Sequence, residues 1–209
     1  MAKKLSKKNS TLYIVFAIVV VVIALKLAID FSRGHLQNSS NPRMKGNPHA
    51  PLKIVEFIDL QCPACANGSQ YLKKVMEEHP DLIQLQLKYF PLAMHKHAYE
   101  SAAYAQCAGR QNKFWPFVTL LLERQSQWQA LEYVKSSFEA IATETQLNVE
   151  ALNTCIHDES VIKAIDQDKA EGTSLGIKST PTYYLNGKMV VGTKSLEEEI
   201  NKSLGVQNK

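Results

Sequence analysis

Cys62 and Cys65 stand two residues apart in IDLQCPACANG, at the end of an apolar run. A C-x-x-C pair has three common uses: half of a metal site, a local structural staple, or a reversible redox switch. A metal site needs about four ligands at recognisable spacing. The other cysteines, Cys107 and Cys155, are 48 residues apart and each stands alone. His95 and His97 in MHKHA could be recruited beside the pair, as in a copper-delivery site. The redox reading rests on placement. Pro63 is suited to open a helix, which makes Cys62 the N-cap. Its sulfur then faces the free N–H groups and the positive dipole end of the first turn. That setting favours thiolate, the reactive species. Cys65 falls one turn on, on the same side but deeper, giving an exposed attacker and a shielded resolver. The residues alone leave all three uses open.

The elements around the pair are legible from periodicity. LKIVEFIDL (52–60) is short, apolar and β-branched, as a buried strand should be. From Pro63 to His79 the apolar residues fall at helical spacing, and Pro80 stops the helix. DLIQLQLKYF (81–90) alternates, as a half-buried strand does. Together these make a βαβ unit with parallel strands. Residues 97–175 are helical in pattern, with Asn148 a candidate N-cap, and Phe114, Trp115 and Phe117 are expected in the core of this block. In TPTYYLNGKMVVG, Asn186-Gly187 between apolar runs predicts a hairpin with a type I′ turn. Ser195 with Glu198 predicts a capping box for a last helix. The order implies an α/β fold with a helical insertion.

Residues 1–11 carry four lysines and no acid, and Leu12–Ile29 is apolar except for Lys26. The span is close to the ~20 residues that cross a bilayer, and a terminal lysine can snorkel. This predicts a basic cytoplasmic tail (1–11), a single transmembrane anchor (12–29), a polar linker (30–50) and an extracytoplasmic domain (51–205), bearing an insertion at about 95–175. A cleaved signal peptide is the rival reading, but Lys26 spoils the small-x-small site. The net charge of +4 equals the four tail lysines, so the rest of the chain carries no nucleic-acid footprint.

IVEFIDLQCPAC, with STPTYYLNGK far downstream, resembles the DsbA-like branch of the thioredoxin superfamily. GNPHAPLKIVEF before the motif and FPLAMHKHA after the second strand are most similar to its membrane-anchored bacterial type. The resemblance covers roughly residues 45 to 203 and implies a thioredoxin-like fold and a thiol–disulfide oxidoreductase. It implies Cys62 as nucleophile, Cys65 as resolving cysteine, and Pro63-Ala64 as the dipeptide that tunes them. Thr180-Pro181 then takes the position of a cis-proline beside the pair, leaving the Thr180 backbone free for an extended substrate segment. Glu56, six residues before Cys62, would lie beneath the site and relay a proton; otherwise it is a strand carboxylate paired with a lysine such as Lys88. Asp59 is expected to be solvated at the strand end, and His95 and His97 to cap or pad the helical block. One of Tyr183 and Tyr184 can face the site. Cys107 and Cys155 are expected to form a structural disulfide, as relatives of this arrangement often carry a second pair, or else to stay free and buried. The implied partners are exported proteins with thiols or disulfides and a membrane redox partner, either a quinone-linked oxidase or a reducing donor. The implied site is the outer side of the plasma membrane. No metal and no cofactor are called for. Placement of Cys62 at the helix N-terminus lowers its pKa, so net oxidation is expected; Ala64 lacks the charge and hydrogen bond that a histidine would offer the thiolate, which keeps reduction or isomerisation as the alternative.

Overall fold

The computed structural model describes residues 16–22, 26 and 41–205. Residues 16–22 are helical and exposed. Among the described residues no helix is long and apolar enough to cross a membrane. The expected tail, most of the expected span and residues 30–40 of the expected linker lie outside them. The chain divides into two compact units, 1–41 and 42–209, and the cysteine pair belongs to the second.

Five strands of that unit form one mixed sheet. They are β1 (Met44–Gly46), β2 (Leu52–Ile58), β3 (Ile83–Tyr89), β4 (Thr182–Leu185) and β5 (Lys188–Val191), in the order β1-β3-β2-β4-β5. Only β2 and β3 run parallel, joined by helix α1 (Pro63–Glu78); the other pairs are antiparallel. β3 buries every second residue, as its alternation predicts. The apolar groups of α1 that face the sheet, Leu72 and Val75, pack on Leu52, Ile54 and Leu85.

The linker expected to run to residue 50 instead enters the sheet at Met44, and β1 adds an edge strand beside β3. Gly46 makes this possible: at φ +91°, a Cβ there would stand 2.2 Å from the Ile83 carbonyl oxygen. A three-residue strand closed by Gly-Asn-Pro has too little pattern to be read locally.

The insertion comprises α2 (Ala98–Arg110), α3 (Phe114–Glu123), α4 (Gln125–Trp128), α5 (Lys135–Glu144), α6 (Val149–Cys155) and α7 (Glu159–Ser174). Phe114, Phe117, Trp128 and Phe138 fill its core. Trp115 departs from expectation: half-buried, it packs against both core clusters, and its ring N–H donates to the Met44 carbonyl at 3.1 Å. Asn148 caps α6 by accepting from the Ala151 N–H at 2.9 Å. Cys107, fully buried on α2, is bonded to half-buried Cys155 on α6.

The hairpin turn has Asn186 at φ 47° and Gly187 at φ 88°, both left-handed as a type I′ turn requires. The predicted capping box is absent. The last helix, α8 (Gly192–Leu204), starts three residues before Ser195, with Val191 at its N-cap and no side-chain cap. Gly192, at φ 80°, turns straight out of β5, and its N–H donates to the Pro181 carbonyl at 2.9 Å. Buried Leu196 and Ile200 then hold the helix against the sheet.

Candidate active site

Cys62 is the N-cap of α1, extended at φ −77° and ψ 121°, with Pro63 as the first helical residue. Its carbonyl accepts from the Cys65 and Ala66 N–H groups at 3.0 and 3.3 Å. Both sulfurs are free thiols. Cys62 is 7 % exposed and Cys65 is completely buried, so the asymmetry is between a barely open sulfur and a sealed one. The Thr180–Pro181 bond is cis, and the Thr180 carbonyl stands 3.6 Å from the Cys62 sulfur.

The electrostatics sharpen this difference. The Cys62 thiol is pulled down to about 5, chiefly by hydrogen bonding from the Cys65 thiol. The Cys65 N–H, the Thr180 hydroxyl and the Ala64 N–H add to this, and burial opposes it. Among the described residues the Thr180 hydroxyl has no ordinary hydrogen-bond partner, so it is free to serve a thiolate. The Cys65 thiol is pushed well above its ordinary value by burial first, and then by Cys62. With Ala64 between them, the second thiol, the backbone N–H groups and the Thr180 hydroxyl provide the stabilisation.

Glu56 lies on β2, directly paired with Tyr183 on β4, and is 1 % exposed. Burial pushes its carboxyl up to about 8, against the opposing pull of the Lys45 ammonium and the Tyr183 hydroxyl. Neither Glu56 Oε1 nor the Tyr183 hydroxyl completes a hydrogen bond of ordinary geometry among the described residues. Tyr183 is thus the inward tyrosine of the pair. It fits because Gly68 of α1 has no side chain: a Cβ there would meet the tyrosine oxygen at 2.0 Å.

The basic neighbour of Glu56 is Lys45, not Lys88. Lys88 points to the other face, beside the Phe57 ring, and pairs with Glu171. Lys45 comes from β1 and sits over the Trp115 ring, 4.4 Å from its centroid. Burial, more than any other influence, lowers its pKa. Nothing in the sequence marked it, because the segment reads as linker.

Asp59 also departs from expectation. It is buried, not solvated, and its carboxylate accepts from the Gln61 N–H (2.8 Å), the Leu92 N–H (2.8 Å) and His95 Nδ1 (2.7 Å). His97 Nε2 bonds the Leu131 carbonyl at 2.8 Å. The two histidines therefore brace loops beside the turn, which leaves the metal-delivery reading without its extra ligands. Among the described residues no group of three His, Cys, Asp or Glu is placed to hold a metal ion. Sequence reasoning also missed Gln125, whose side-chain N–H group donates to the Leu60 and Cys62 carbonyls at 2.8 and 3.0 Å.

Parallel β2–α1–β3, antiparallel β4–β5, a terminal helix and a cysteine pair at the β2–α1 junction define a thioredoxin fold. The thioredoxin family profile matches residues 38–203, and the chain belongs to that family. Wolbachia pipientis alpha-DsbA1 superposes with a TM-score of 0.69 at 22 % identity, over 78 % of this chain and 89 % of that one. Bacillus subtilis BdbD does so at 0.66 and 22 % identity, over 78 % and 92 %. A curated relative, the Na(+)/H(+) antiporter NhaA 1 of Mycolicibacterium gilvum, is 27 % identical over 169 residues, 79 % of this chain but 26 % of its own length. The chain thus spans about a quarter of the curated relatives it matches.

Proposed function

We propose that the chain is a thiol–disulfide oxidoreductase acting on exported proteins, with Cys62 as the nucleophile and Cys65 as the resolving cysteine. The observation that carries this is the placement of two free thiols one turn apart, Cys62 at the N-cap of α1 beside the cis Thr180–Pro181 bond and Cys65 sealed beneath it, an arrangement that lowers Cys62 to about 5 and raises Cys65. At neutral pH the first is a thiolate and the second is not. Thiolate attack on a substrate disulfide, or by a substrate thiolate on the Cys62 sulfur, then proceeds at one defined atom. Glu56 supplies or accepts the Cys65 proton, as a carboxyl near 8 is suited to do. The Thr180 backbone beside cis-Pro181 offers hydrogen bonds to an extended substrate segment.

Net oxidation is the favoured direction, because a lowered Cys62 pKa stabilises the reduced form of the enzyme. Placement outside the plasma membrane, held by residues 12–29 and reached by a membrane recycler, rests on the apolar run and its flanking lysines. A reductase kept reduced by a membrane donor is the alternative, and Ala64 is what favours it.

Two measurements test the proposal. Cys65→Ala should trap a mixed disulfide through Cys62, whereas Cys62→Ala should be inert; trapping by the second variant alone would reverse the roles. Equilibration of the couple with glutathione gives the direction, and a strongly reducing potential would move the enzyme to the reductase class.

A further inference from the structure

The two ends of the Cys107–Cys155 bridge sit in different surroundings. Cys107 is 0 % exposed in the core of the insertion, whereas Cys155 closes α6 half-buried, beside an open hollow lined by Asn148, Glu150, Ala151 and Thr154. A staple needs neither an open end nor a charge beside it, and Cys155 has both. The Arg110 guanidinium stands 3.6 Å from the Cys155 sulfur, and the same nitrogen donates to the Asp158 carboxylate at 2.7 Å. Its second terminal nitrogen donates to the Ser160 hydroxyl. Arg110 and then Ser160 pull the Asp158 carboxyl down to about 2, so this anchor stays charged through the neutral range. A cation so placed favours a Cys155 thiolate over the thiol. Cys155 is the last residue of α6, where the helix dipole opposes a thiolate. The guanidinium is therefore what the reactivity of this sulfur depends on.

Contacts that do not involve the bond align the two sulfurs. Gln111, which caps α2, donates to the Asn148 carbonyl at 3.1 Å and accepts from the Asn148 N–H at 2.8 Å, fixing the start of α6. Arg110 fixes the far end through Asp158 and Ser160. Between them Leu152 is fully buried, and the Tyr104 hydroxyl donates to the Asn153 side chain at 3.3 Å. These contacts hold α2 against α6 whether or not the sulfurs are joined. A thiol held in place beside its partner reacts as if highly concentrated.

We propose that Cys155 is a second thiol–disulfide exchange site, through which the folded, reduced chain takes its bridge from an external disulfide. The Cys155 thiolate attacks one sulfur of the donor, and the donor's other half leaves as thiolate. The Cys107 thiol then loses its proton, its sulfur attacks that of Cys155, and the remaining half of the donor leaves. Two protein thiols are oxidised, and one disulfide becomes two thiols that take up the released protons. The order is fixed, because Cys107 has no opening to a donor. Breaking the bridge from outside expels Cys107 as a thiolate into apolar core, so the site closes readily and opens slowly. The donor is a small disulfide or the oxidised Cys62–Cys65 pair of a second copy, since both present the same reactive bond. The second source rests on the assignment of Cys62 and Cys65 as the redox pair; the site itself does not.

The test uses the full chain carrying Cys62→Ser and Cys65→Ser, reduced without denaturant. One donor is oxidised glutathione. The other is the chain carrying Cys107→Ser and Cys155→Ser, oxidised at Cys62–Cys65. The reduced chain should keep its native circular dichroism and close its bridge with either donor. With Cys107→Ser added, glutathione should accumulate on Cys155. With Cys155→Ser added instead, Cys107 should stay unmodified until urea unfolds the chain. Arg110→Met should slow capture at neutral pH about threefold for each unit by which the Cys155 pKa rises, because about tenfold less thiolate is partly offset by a more nucleophilic sulfur. The slowing should vanish at alkaline pH, and Arg110→Lys should restore the neutral rate; a merely structural arginine would leave this pH profile unmoved. A second copy that oxidises a model peptide dithiol but not Cys155 assigns the donor to small disulfides. One that oxidises neither refutes the redox assignment and leaves the site to the glutathione result. Glutathione reaching Cys107 as fast as Cys155, a wild-type pH profile in Arg110→Met, or a reduced chain that is unfolded or closes its bridge only in urea would each overturn the site.

Discussion

Replacing Glu56 by Gln should stabilise the protein in a pH-dependent way, and the size follows from its burial. The carboxyl titrates near 4.5 in an unfolded chain and near 8 in the fold. Below 4.5 it is protonated in both states and contributes no pH dependence. As pH rises from there, the unfolded chain releases the proton while the folded one keeps it, so stability falls. It stops falling above about 8, where both states are ionised. Each intervening pH unit removes about 1.4 kcal/mol, so roughly 3 kcal/mol is gone at pH 7 and roughly 5 at the upper plateau. Glutamine is the same shape and does not titrate. Any hydrogen-bonding difference toward Tyr183 adds an offset that is constant with pH, so the slope is the test. Urea unfolding of the oxidised proteins at half-unit steps from pH 5 to 8 measures it, since in that form neither Cys62 nor Cys65 titrates. The stability gap between Glu56→Gln and wild type should widen by several kcal/mol across that range. A gap that stays flat would mean Glu56 is ionised throughout and cannot hold the proton that Cys65 needs.

Three further outcomes come from the same geometry. Lys45→Met removes the ammonium that holds the Glu56 carboxyl down, so the carboxyl should titrate higher still, read from the infrared carboxyl band against pH. In the reduced protein, the Cys62 thiolate absorbance should rise with a midpoint near 5. Because this pKa is depressed on folding, the stability it confers is full above the unfolded value and is lost as pH falls toward 5. A midpoint above 8 would remove the basis for Cys62 as the attacker. Cys107→Ser with Cys155→Ser opens a closed loop of 48 residues and should cost about 4 kcal/mol in denaturant unfolding. The Cys62 titration should not change, and a shift there would show that the bridge acts on the redox pair.

The parts of this fold that were legible in the sequence are those whose signal is local. Pro63 behind Cys62, the alternation of 83–89 and the Asn186-Gly187 turn each state their conformation within a few residues. The parts that were not legible depend on where distant segments meet. Asp59 reads as a strand-end acid, and beyond the local Gln61 N–H its partners, Leu92 and His95, reach it only when 91–97 folds back over it. Glu56 was visible as a lone acid in an apolar strand, but its neighbour came from β1, and no local pattern announces a three-residue edge strand. The capping box failed because Gly192 allowed the helix to begin directly from the strand, one turn earlier than Ser195.

The insertion does more than cover the site. Gln61 donates to the Gln129 carbonyl at 2.7 Å and accepts from the His97 N–H at 2.5 Å. Gln125 holds the carbonyls on either side of Gln61, one of which belongs to Cys62. The turn that carries Cys62 is therefore fastened to α4, which Trp128 anchors in the core against Phe138, and to the loop before α2, which His97 Nε2 ties to the Leu131 carbonyl. Ala64 withholds the help of a side chain from the Cys62 sulfur, so the thiolate rests on the Cys65 thiol first, then on the backbone N–H groups of the turn and the Thr180 hydroxyl, and the insertion braces that turn. The redox properties of Cys62 and the packing of α2 to α5 are thus two views of one structure. Changes in the insertion should be read first as changes in the cysteine pair's chemistry, and only then as changes in substrate fit.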